Sequence, residues 1–188
     1  MIVQERMAVY INSLDTGNGP FLDALQRQAL QDEVPIIRQD MQSFLKVLLA
    51  MHQPKKILEV GTAVGFSALL MADHTSEECQ ITTIEKYEKR IPDAKENFKK
   101  AGRENRITLL EGDALEIMKG LNEPYDMIFM DAAKGQYIHF LPDALRLLRT
   151  GGVLVSDNVL QDGDIIESHY AVERRNRTIY KRMREYLY

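Results

Sequence analysis

The alternation of apolar and polar positions divides the chain into an N-terminal helical part and a longer part of alternating strands and helices. Residues 1–14, about 21–32 and about 40–52 have apolar positions at helical spacing, which predicts three helices. Residues 34–37 are expected to be extended, since a residue before proline avoids the helical region. The predicted inward or apolar positions are Ile2, Met7, Val9, Leu14, Phe44, Leu45, Leu48 and Leu49. These helices would either cover a ligand or form a dimer contact.

From Lys55 onward, short apolar runs rich in β-branched residues alternate with helical patterns, the last of which is closed by Gly151 and Gly152. The predicted strands are 57–60, 81–85, 107–111, 126–131 and 153–158, and the predicted helices are 67–72, 88–101 and 137–149. Such alternation indicates an α/β fold with a mostly parallel sheet and helices on both faces. With 188 residues and 45% hydrophobic content, we expect one domain over residues 1–188. It would comprise an N-terminal helical segment, 1–53, and an α/β core, 54–188.

Composition narrows the class of protein. The single cysteine, Cys79, excludes an internal disulfide and a zinc site built on thiolates, which suggests a reducing cytoplasm. No apolar run approaches the ~18 residues of a membrane span. The net charge is −4, yet residues 171–188 alone carry +4 and the remainder −8. This basic segment is either a solvated helix face or a contact for an anionic partner.

Gly61 and Gly65 bracket a turn between the first strand and the following helix. In open parallel sheets, such a turn is where nucleotide-like ligands bind. The spacing Gly-x-x-x-Gly differs from the dinucleotide pattern, so a nicotinamide-dependent reductase is disfavoured. Glu59, just before the first glycine, would repel a phosphate and attract an ammonium group. The turn therefore suggests a nucleoside ligand that carries an amino acid.

Polar residues collect where the predicted strands end. Glu85, 24 residues after Gly61, is placed to accept both ribose hydroxyls, although an exposed strand-end glutamate is the simpler alternative. Asp113, in Gly112-Asp113-Ala114, would reach an adenine edge or cap the next helix. Ser67 would cap its helix or reach a ligand carboxylate.

Asp131 ends the fourth strand, and Asp157 and Asn158 end the fifth. Since neighbouring parallel strands end at one edge, two carboxylates and an amide oxygen would meet there. Such hard oxygen ligands suit Mg²⁺ and leave positions open for water or substrate. Without a cation, their repulsion would raise one carboxyl pKa. A turn-forming role for Asp157 and Asn158 is the alternative.

Five motifs in this order, over roughly residues 34–160, resemble those of the cation-dependent O-methyltransferases, which include catechol and caffeoyl-coenzyme A enzymes. They are Leu58–Ser67, Ile84-Glu85, Gly112-Asp113-Ala114, Asp131–Tyr137 and Ser156–Leu160. The resemblance implies a Rossmann-like class I fold and S-adenosylmethionine as methyl donor. It also implies that Glu59, Gly61 and Ser67 hold the amino-acid end of the donor and that Ile37 lines its pocket. Glu85 would bind the ribose and Asp113 with Ala114 the adenine region, whereas Asp131, Asp157 and Asn158 would bind Mg²⁺, with Asp131 also near the donor.

Within that family, the chain most resembles the bacterial branch that methylates 5-hydroxyuridine at the wobble position of transfer RNA. The grounds are the motifs 34–37, 131–137 and 157–160 and the basic cluster that follows them, whose candidate RNA contacts are Arg174, Arg175 and Arg177. Transfer RNA, bound near its anticodon, would place phosphates against these arginines, whereas a free catechol needs no such basic patch. Tyr137, Tyr170 and Tyr180 would stack on bases or simply pack in the core. A small catechol-like phenol is the alternative acceptor, and a homodimer is expected.

The two acceptor classes share one chemistry, because each presents a hydroxyl beside a second oxygen and could chelate Mg²⁺. Lys134, three residues after Asp131, would take the hydroxyl proton, stabilise the oxyanion or simply neutralise the aspartates. A non-catalytic RNA-binding module of the same fold is a further alternative. The family continues past its last helix into two antiparallel strands. This sequence ends at Tyr188, so we expect either an incomplete chain or a sheet that lacks those strands and keeps an open edge.

Overall fold

The computed structural model describes residues 4–168 and 172–188, and Ile2 and Tyr170 lie outside these ranges. Three helices come first: α1 Glu5–Ser13, α2 Pro20–Gln31 and α3 Gln39–His52. The strands are β1 Lys56–Val60, β2 Gln80–Glu85, β3 Ile107–Glu111, β4 Tyr125–Met130 and β5 Leu148–Ser156. The remaining helices are α4 Phe66–Asp73, α5 Ile91–Lys100, α6 Ala114–Gly120, α7 Tyr137–Leu147 and α8 Arg177–Leu187. Short 3-10 helices cover Lys134–Gln136, Gln161–Ile166 and Arg174–Asn176.

The five strands are parallel and lie in the order β3-β2-β1-β4-β5. This order places β1 at the centre and its carboxyl end at the point where the chain reverses its direction of winding, which is where open α/β sheets bind ligands. The prediction of a parallel α/β sheet is confirmed. Among the described residues, no helix combines the length and apolar content needed to cross a bilayer.

Alternate residues of the central strands enter two separate cores. Ile57 and Phe129 face α2–α5, and Leu58 and Ile128 face α6–α8. Because both faces of the sheet are covered, the strands are almost continuously apolar, as is typical of parallel sheets. Glu59 shares the face of Ile57 and is therefore directed toward α4.

Two details of the sequence interpretation are wrong. Phe44, Val9 and Leu14 are 53%, 63% and 62% exposed. The described apolar positions of α1 therefore lie at the surface, and the apolar face assigned to α3 is only partly buried. Gly151 and Gly152 do not close a helix but lie inside β5, at an irregularity in its pairing with β4. Gly152 there packs against the carbonyl of Asp126, and a side chain at this position would collide with it.

Candidate functional site

A cavity of about 540 Å³ lies at the carboxyl ends of the strands, within the range of small-molecule sites. Its walls come from the turn after β1, the ends of β2, β3 and β4, and the extended segment before α3. The predicted site residues that line it are Ile37, Gly61, Ser67, Glu85, Asp113, Ala114, Asp131 and Lys134. The structure thus brings these eight residues to one space, although they are spread over almost 100 positions of sequence.

The turn after β1 requires glycine at two positions. Gly61 and Gly65 have φ angles of +106° and +86°, in the region that side chains disfavour. A Cβ on Gly61 would overlap the backbone carbonyl oxygen of Asp131, and a Cβ on Gly65 would lie 2.5 Å from the ring of Phe98. The first glycine therefore lets the turn approach the end of β4, and the second lets α4 pack against α5.

Glu59 is fully buried and does not line the cavity. Its carboxylate accepts hydrogen bonds from the hydroxyls of Ser67 and Thr83, and the Thr83 hydroxyl lies 2.5 Å from that of Thr62. Burial raises the pKa of Glu59 to about 8, an effect that the hydroxyl donors partly oppose and the charges of Asp131 and Glu85 reinforce. The carboxylate of Glu59 is therefore not placed for direct contact with an ammonium group of a ligand in the cavity. Ser67, which does line the cavity, lies between Glu59 and that space.

Glu85 is held by the backbone rather than left as a free strand-end side chain. One carboxylate oxygen accepts from the amide of Ala63 at 2.8 Å, and the other accepts from the amides of Lys86 and Tyr87 at 3.0 and 2.8 Å. These three bonds fix the carboxylate beside the glycine turn. Oε1 accepts two of these bonds and Oε2 only one, so Oε2 retains a lone pair that can accept a further hydrogen bond.

Asp113 caps α6, because its Oδ1 accepts from the amide of Leu115 at 2.9 Å. Its other oxygen lies 3.4 Å from Nζ of Lys86, in an exposed pair. The capping alternative for this residue is therefore confirmed. Asp113 lines the cavity as well, so a ligand contact is also open to it.

Asp131, Lys134 and Asp157 form a cluster that we call the acidic corner. Nζ of Lys134 lies 2.8 Å from Oδ1 of Asp131 and 3.9 Å from Oδ2 of Asp157. The amide of Asp157 donates to the carbonyl of Met130, which holds the end of β5 beside the end of β4. Burial and the charge of Asp131 raise the pKa of Asp157, and Lys134 partly offsets this shift. The predicted meeting of the two strand-end aspartates is thus observed.

The donor set of the acidic corner fits a hard cation with open coordination positions. Two carboxylates already share one positive charge, and Asn158 follows Asp157 in a left-handed turn with φ of +48°. Over residues 4–168 and 172–188, no group of three or more His, Cys, Asp or Glu side chains could hold a metal ion. The two carboxylates and the neighbouring amide side chain would leave coordination positions open for water or substrate, as Mg²⁺ sites commonly do.

Tyr137 is the support beneath Lys134. Its hydroxyl donates to the carbonyl of Met130 at 2.7 Å and accepts from Nζ of Lys134 at 2.9 Å. Burial and the two aspartates raise the pKa of Tyr137 far above its usual value, so the phenol stays protonated. Tyr137 and Tyr180 are both buried, which confirms the packing alternative over base stacking for these two residues.

The basic segment is largely tied to its own chain. Arg177 donates to the carbonyl of Val172, Arg182 donates to that of Gly135, and Arg184 donates to those of Ile165 and Glu167. Arg174 and Arg175 are exposed, the latter paired with Glu173 at 2.7 Å. Of the three candidate RNA contacts, Arg174 and Arg175 are therefore exposed, Arg175 within an ion pair, and Arg177 is partly engaged by the backbone.

The sequence did not reveal every residue of the site. Thr62, Phe66, Tyr87, Arg90 and Phe140 line the cavity, and Thr83 supports Glu59 from behind. Thr83 was readable only as part of a β-branched strand, because nothing in the local pattern connects it with a glutamate 24 positions away. Tyr137 is three residues from Lys134, a helical spacing that could have indicated their contact.

The chain is similar in sequence to a known protein family and to characterised proteins. The sequence profile of the O-methyltransferase family matches residues 12–187. The chain belongs to the O-methyltransferase family. A catechol O-methyltransferase of Niastella koreensis is 36% identical over 130 residues, which cover 67% of this chain and 59% of that protein. A catechol O-methyltransferase of Mycobacterium tuberculosis is 32% identical over 160 residues, which cover 84% of this chain and 73% of that protein.

Among solved structures, the O-methyltransferase from Bacillus cereus in complex with SAH superimposes with a TM-score of 0.83 at 25% identity. The match covers 95% of this chain and 81% of that one. The expected family and its Rossmann-like class I fold are therefore confirmed for this O-methyltransferase family member. The chain spans about three-fifths of the length of the Niastella relative.

Proposed function

We propose that this chain transfers a methyl group from S-adenosylmethionine to a hydroxyl oxygen in a Mg²⁺-dependent reaction. The observation that carries the proposal is that one cavity joins the glycine turn to the acidic corner, with Gly61 and Asp131 in its wall. A donor nucleoside at the turn and an acceptor at the corner would then meet inside it. Holding two reactants at such a junction contributes strongly to catalysis.

The donor would be held by the residues of the turn and the neighbouring strand ends. Glu85, fixed by three amides, would accept from the ribose hydroxyls, chiefly through Oε2, which retains a free lone pair. Asp113 and Ala114 would contact the adenine region, and Ile37 would close the opposite wall. Gly61 and Ser67 would contact the amino-acid end, and Glu59 would act through Ser67, since its carboxylate is enclosed.

Asp131, Asp157 and Asn158 would hold Mg²⁺, which supplies Lewis-acid activation and a template for two neighbouring acceptor oxygens. Lys134 is the candidate catalytic residue, because its Nζ lies in the cavity wall beside Asp131. It would stabilise negative charge on the acceptor oxygen or take up its proton. The Tyr137 hydroxyl orients it for either role.

As the acceptor we propose 5-hydroxyuridine at the wobble position of transfer RNA. The motifs of the bacterial branch support this choice, as do the exposed guanidinium groups of Arg174 and Arg175. A base whose hydroxyl lies beside a carbonyl oxygen would suit the acidic corner. Phosphate contacts would orient the RNA, and Arg177 would contribute less because it already donates to Val172.

The names of the curated relatives favour a second candidate, a small catechol-like phenol. Its two vicinal hydroxyls would use the same chelating geometry. It has no phosphates, so the exposed arginines would be irrelevant to its binding.

The reaction is tested with labelled S-adenosylmethionine and transfer RNA that contains 5-hydroxyuridine, with a free catechol in parallel. We expect methylation that a chelator abolishes and that Asp157→Asn lowers on the order of 100-fold. Asp93→Asn, on the exposed face of α5, is the matched control and should retain activity. Methyl transfer that persists in the presence of chelator would contradict the role given to Mg²⁺.

The acceptor class is tested by charge reversal. Arg174→Glu with Arg175→Glu should weaken transfer RNA binding and lower its salt dependence by about one unit of slope for each lost phosphate contact. Lys99→Glu with Lys100→Glu makes the same change in net charge on the exposed side of α5 and should have a smaller effect. Equal effects of the two double variants, together with turnover of free catechol, would favour the small phenol.

We also infer a homodimer, supported by apolar side chains that the described helices leave at the surface. On α3 these are Phe44, Val47 and Met51, which are 53%, 58% and 80% exposed. Sedimentation equilibrium should show a dimer that Val47→Glu with Met51→Glu converts to monomer. A monomeric wild-type protein at micromolar concentration would exclude this interface.

A further inference from the structure

Lys134 makes an ionic contact with both aspartates of the acidic corner. Its Nζ lies 2.8 Å from Asp131 and 3.9 Å from Asp157, which come from the ends of two different strands. All three side chains are largely withdrawn from solvent, with 16%, 24% and 17% exposure. A single ammonium group therefore balances two carboxylates at a place that water screens poorly.

The hydroxyl of Tyr137 also holds Lys134 in this position. The Tyr137 hydroxyl gives its proton to the carbonyl of Met130 and so presents a lone pair to Nζ at 2.9 Å. Lys134 lies in the short 3-10 helix that directly follows the loop after β4, only three residues from Asp131. Its position is thus fixed by local chain geometry and by three oxygen atoms.

A divalent cation and this ammonium group would compete for the same two carboxylates. Mg²⁺ lies about 2.1 Å from its oxygen ligands, so its charge would stand within a few ångströms of Nζ. Two neighbouring cations in a poorly screened place repel each other strongly. Occupation of the corner by a metal would therefore favour movement of the lysine side chain away from at least one carboxylate.

We propose that the Lys134 ammonium is an exchangeable counter-ion, which occupies the place of the metal between Asp131 and Asp157 and is displaced when a divalent cation binds. The inference rests on the metal site of the proposed function. Exchange couples two events, because binding of the cation releases the lysine side chain into the cavity whose wall it already forms. The acceptor would then meet the released lysine side chain only when the metal is present.

A permanent structural bridge is the opposing interpretation, and the two differ in the sign of one effect. If Lys134 competes with the cation, its removal strengthens metal binding. If it holds the carboxylates in place, its removal weakens metal binding, because the strand ends lose their common partner.

The test is equilibrium binding of Mn²⁺, followed by electron paramagnetic resonance, to the full chain without donor or acceptor. Lys134→Met should bind Mn²⁺ roughly tenfold more tightly than wild type, and Lys134→Arg, which keeps the charge, should bind weakly as wild type does. Lys119→Met is the matched control. Lys119 pairs with Glu116 at the same 2.8 Å and the same three-residue spacing, but both side chains are exposed. It should leave metal binding unchanged.

Thermal unfolding gives a second readout that does not depend on activity. Without metal, Lys134→Met should unfold at a lower temperature than wild type, and saturating Mn²⁺ should raise its midpoint more than that of wild type. Equal or weaker Mn²⁺ binding by Lys134→Met would overturn the exchange and leave the metal site of the proposed function intact. Absence of Mn²⁺ binding to wild type and to Lys134→Met alike would overturn both.

Discussion

Glu59 and Asp131 lie near the ends of the neighbouring strands β1 and β4, but their carboxyl groups are balanced in different ways. Glu59 is enclosed and bonded to the uncharged hydroxyls of Ser67 and Thr83, and burial raises its pKa to about 8. Asp131 lines the cavity and is balanced by the ammonium of Lys134. Hydroxyl groups cannot be replaced by a ligand from solvent, whereas an ammonium group on a flexible chain can. The buried network therefore suits a fixed support, and the acidic corner suits exchange.

The two regions touch at Gly61, and the largest expected effect comes from a change there. In Gly61→Ala the added Cβ would overlap the carbonyl oxygen of Asp131, and backbone cannot move aside as a side chain can. We expect the free energy of unfolding to fall by about 4 kcal/mol, as measured by urea denaturation. The separation of β1 from the end of β4 should also abolish binding of S-adenosylhomocysteine.

Gly102→Ala is the control for this substitution. Gly102 also has positive φ, +62°, but a Cβ there would meet no atom within 4 Å. Backbone strain alone should cost about 1 kcal/mol. If both variants lose the same free energy of unfolding, the close approach of Gly61 to the carbonyl of Asp131 does not limit stability.

The second prediction concerns pH and the enclosed carboxyl group. The pKa of Glu59 rises from an ordinary value near 4.5 in the unfolded chain to about 8 in the folded protein, so the folded state binds the additional proton. Stability should therefore decrease as pH rises from about 4.5 to about 8, by at most ~1.4 kcal/mol per pH unit from this group. Urea denaturation at several pH values measures this slope.

Glu59→Gln keeps the shape and removes the charge, so this part of the slope should disappear. Asp93→Asn, on an exposed side chain, should leave the slope unchanged. A wild-type slope that survives in Glu59→Gln would show that Glu59 is not the titrating group.

The third prediction separates the hydroxyl support from simple packing. Thr83→Val keeps the volume of the side chain but removes the donor to Glu59 and the partner of the Thr62 hydroxyl. We expect a loss of about 1–3 kcal/mol, since buried polar groups are left unpaired. Thr83→Ser, which keeps the hydroxyl, should recover more of the stability at high pH than at low pH, where Glu59 is neutral. Recovery that does not depend on pH would mean that the methyl group and cavity volume dominate.

The sequence predicted the strands and the acidic corner but not the buried hydroxyl groups around Glu59. Strand positions were predicted to within a residue for β2 and β3, because apolar runs between turn residues specify buried parallel strands. Asp131 and Asp157 could be placed together, because parallel strands end at one edge. The hydrogen bond from Thr83 to Glu59 could not be predicted, because Thr83 belongs to another strand. Threonine is common in strands, so its presence there does not indicate a polar partner.

The sequence also did not predict correctly which side of a helix is buried. Phe44 is exposed although helical periodicity assigned it to the core, because residues 39–52 carry apolar side chains on more than one face. Local spacing gives the period of a helix, whereas the neighbouring helix decides which face is buried. The start of β5 at Leu148 was missed because glycines usually mark the end of an element.

The smallest expected effect concerns Asp113, which combines a structural contact with a proposed ligand contact. Asp113→Ala should lose about 1 kcal/mol, since the amide of Leu115 loses its cap. Asp113→Ser keeps a capping oxygen and should be nearly as stable as wild type. The exposed ion pair between Asp113 and Lys86 should contribute little to the free energy of unfolding. Because serine lacks the carboxylate, Asp113→Ser should still bind S-adenosylhomocysteine several-fold more weakly, as measured by calorimetry. Wild-type affinity in Asp113→Ser would mean that this carboxylate serves only as the N-cap of α6 and takes no part in binding the donor.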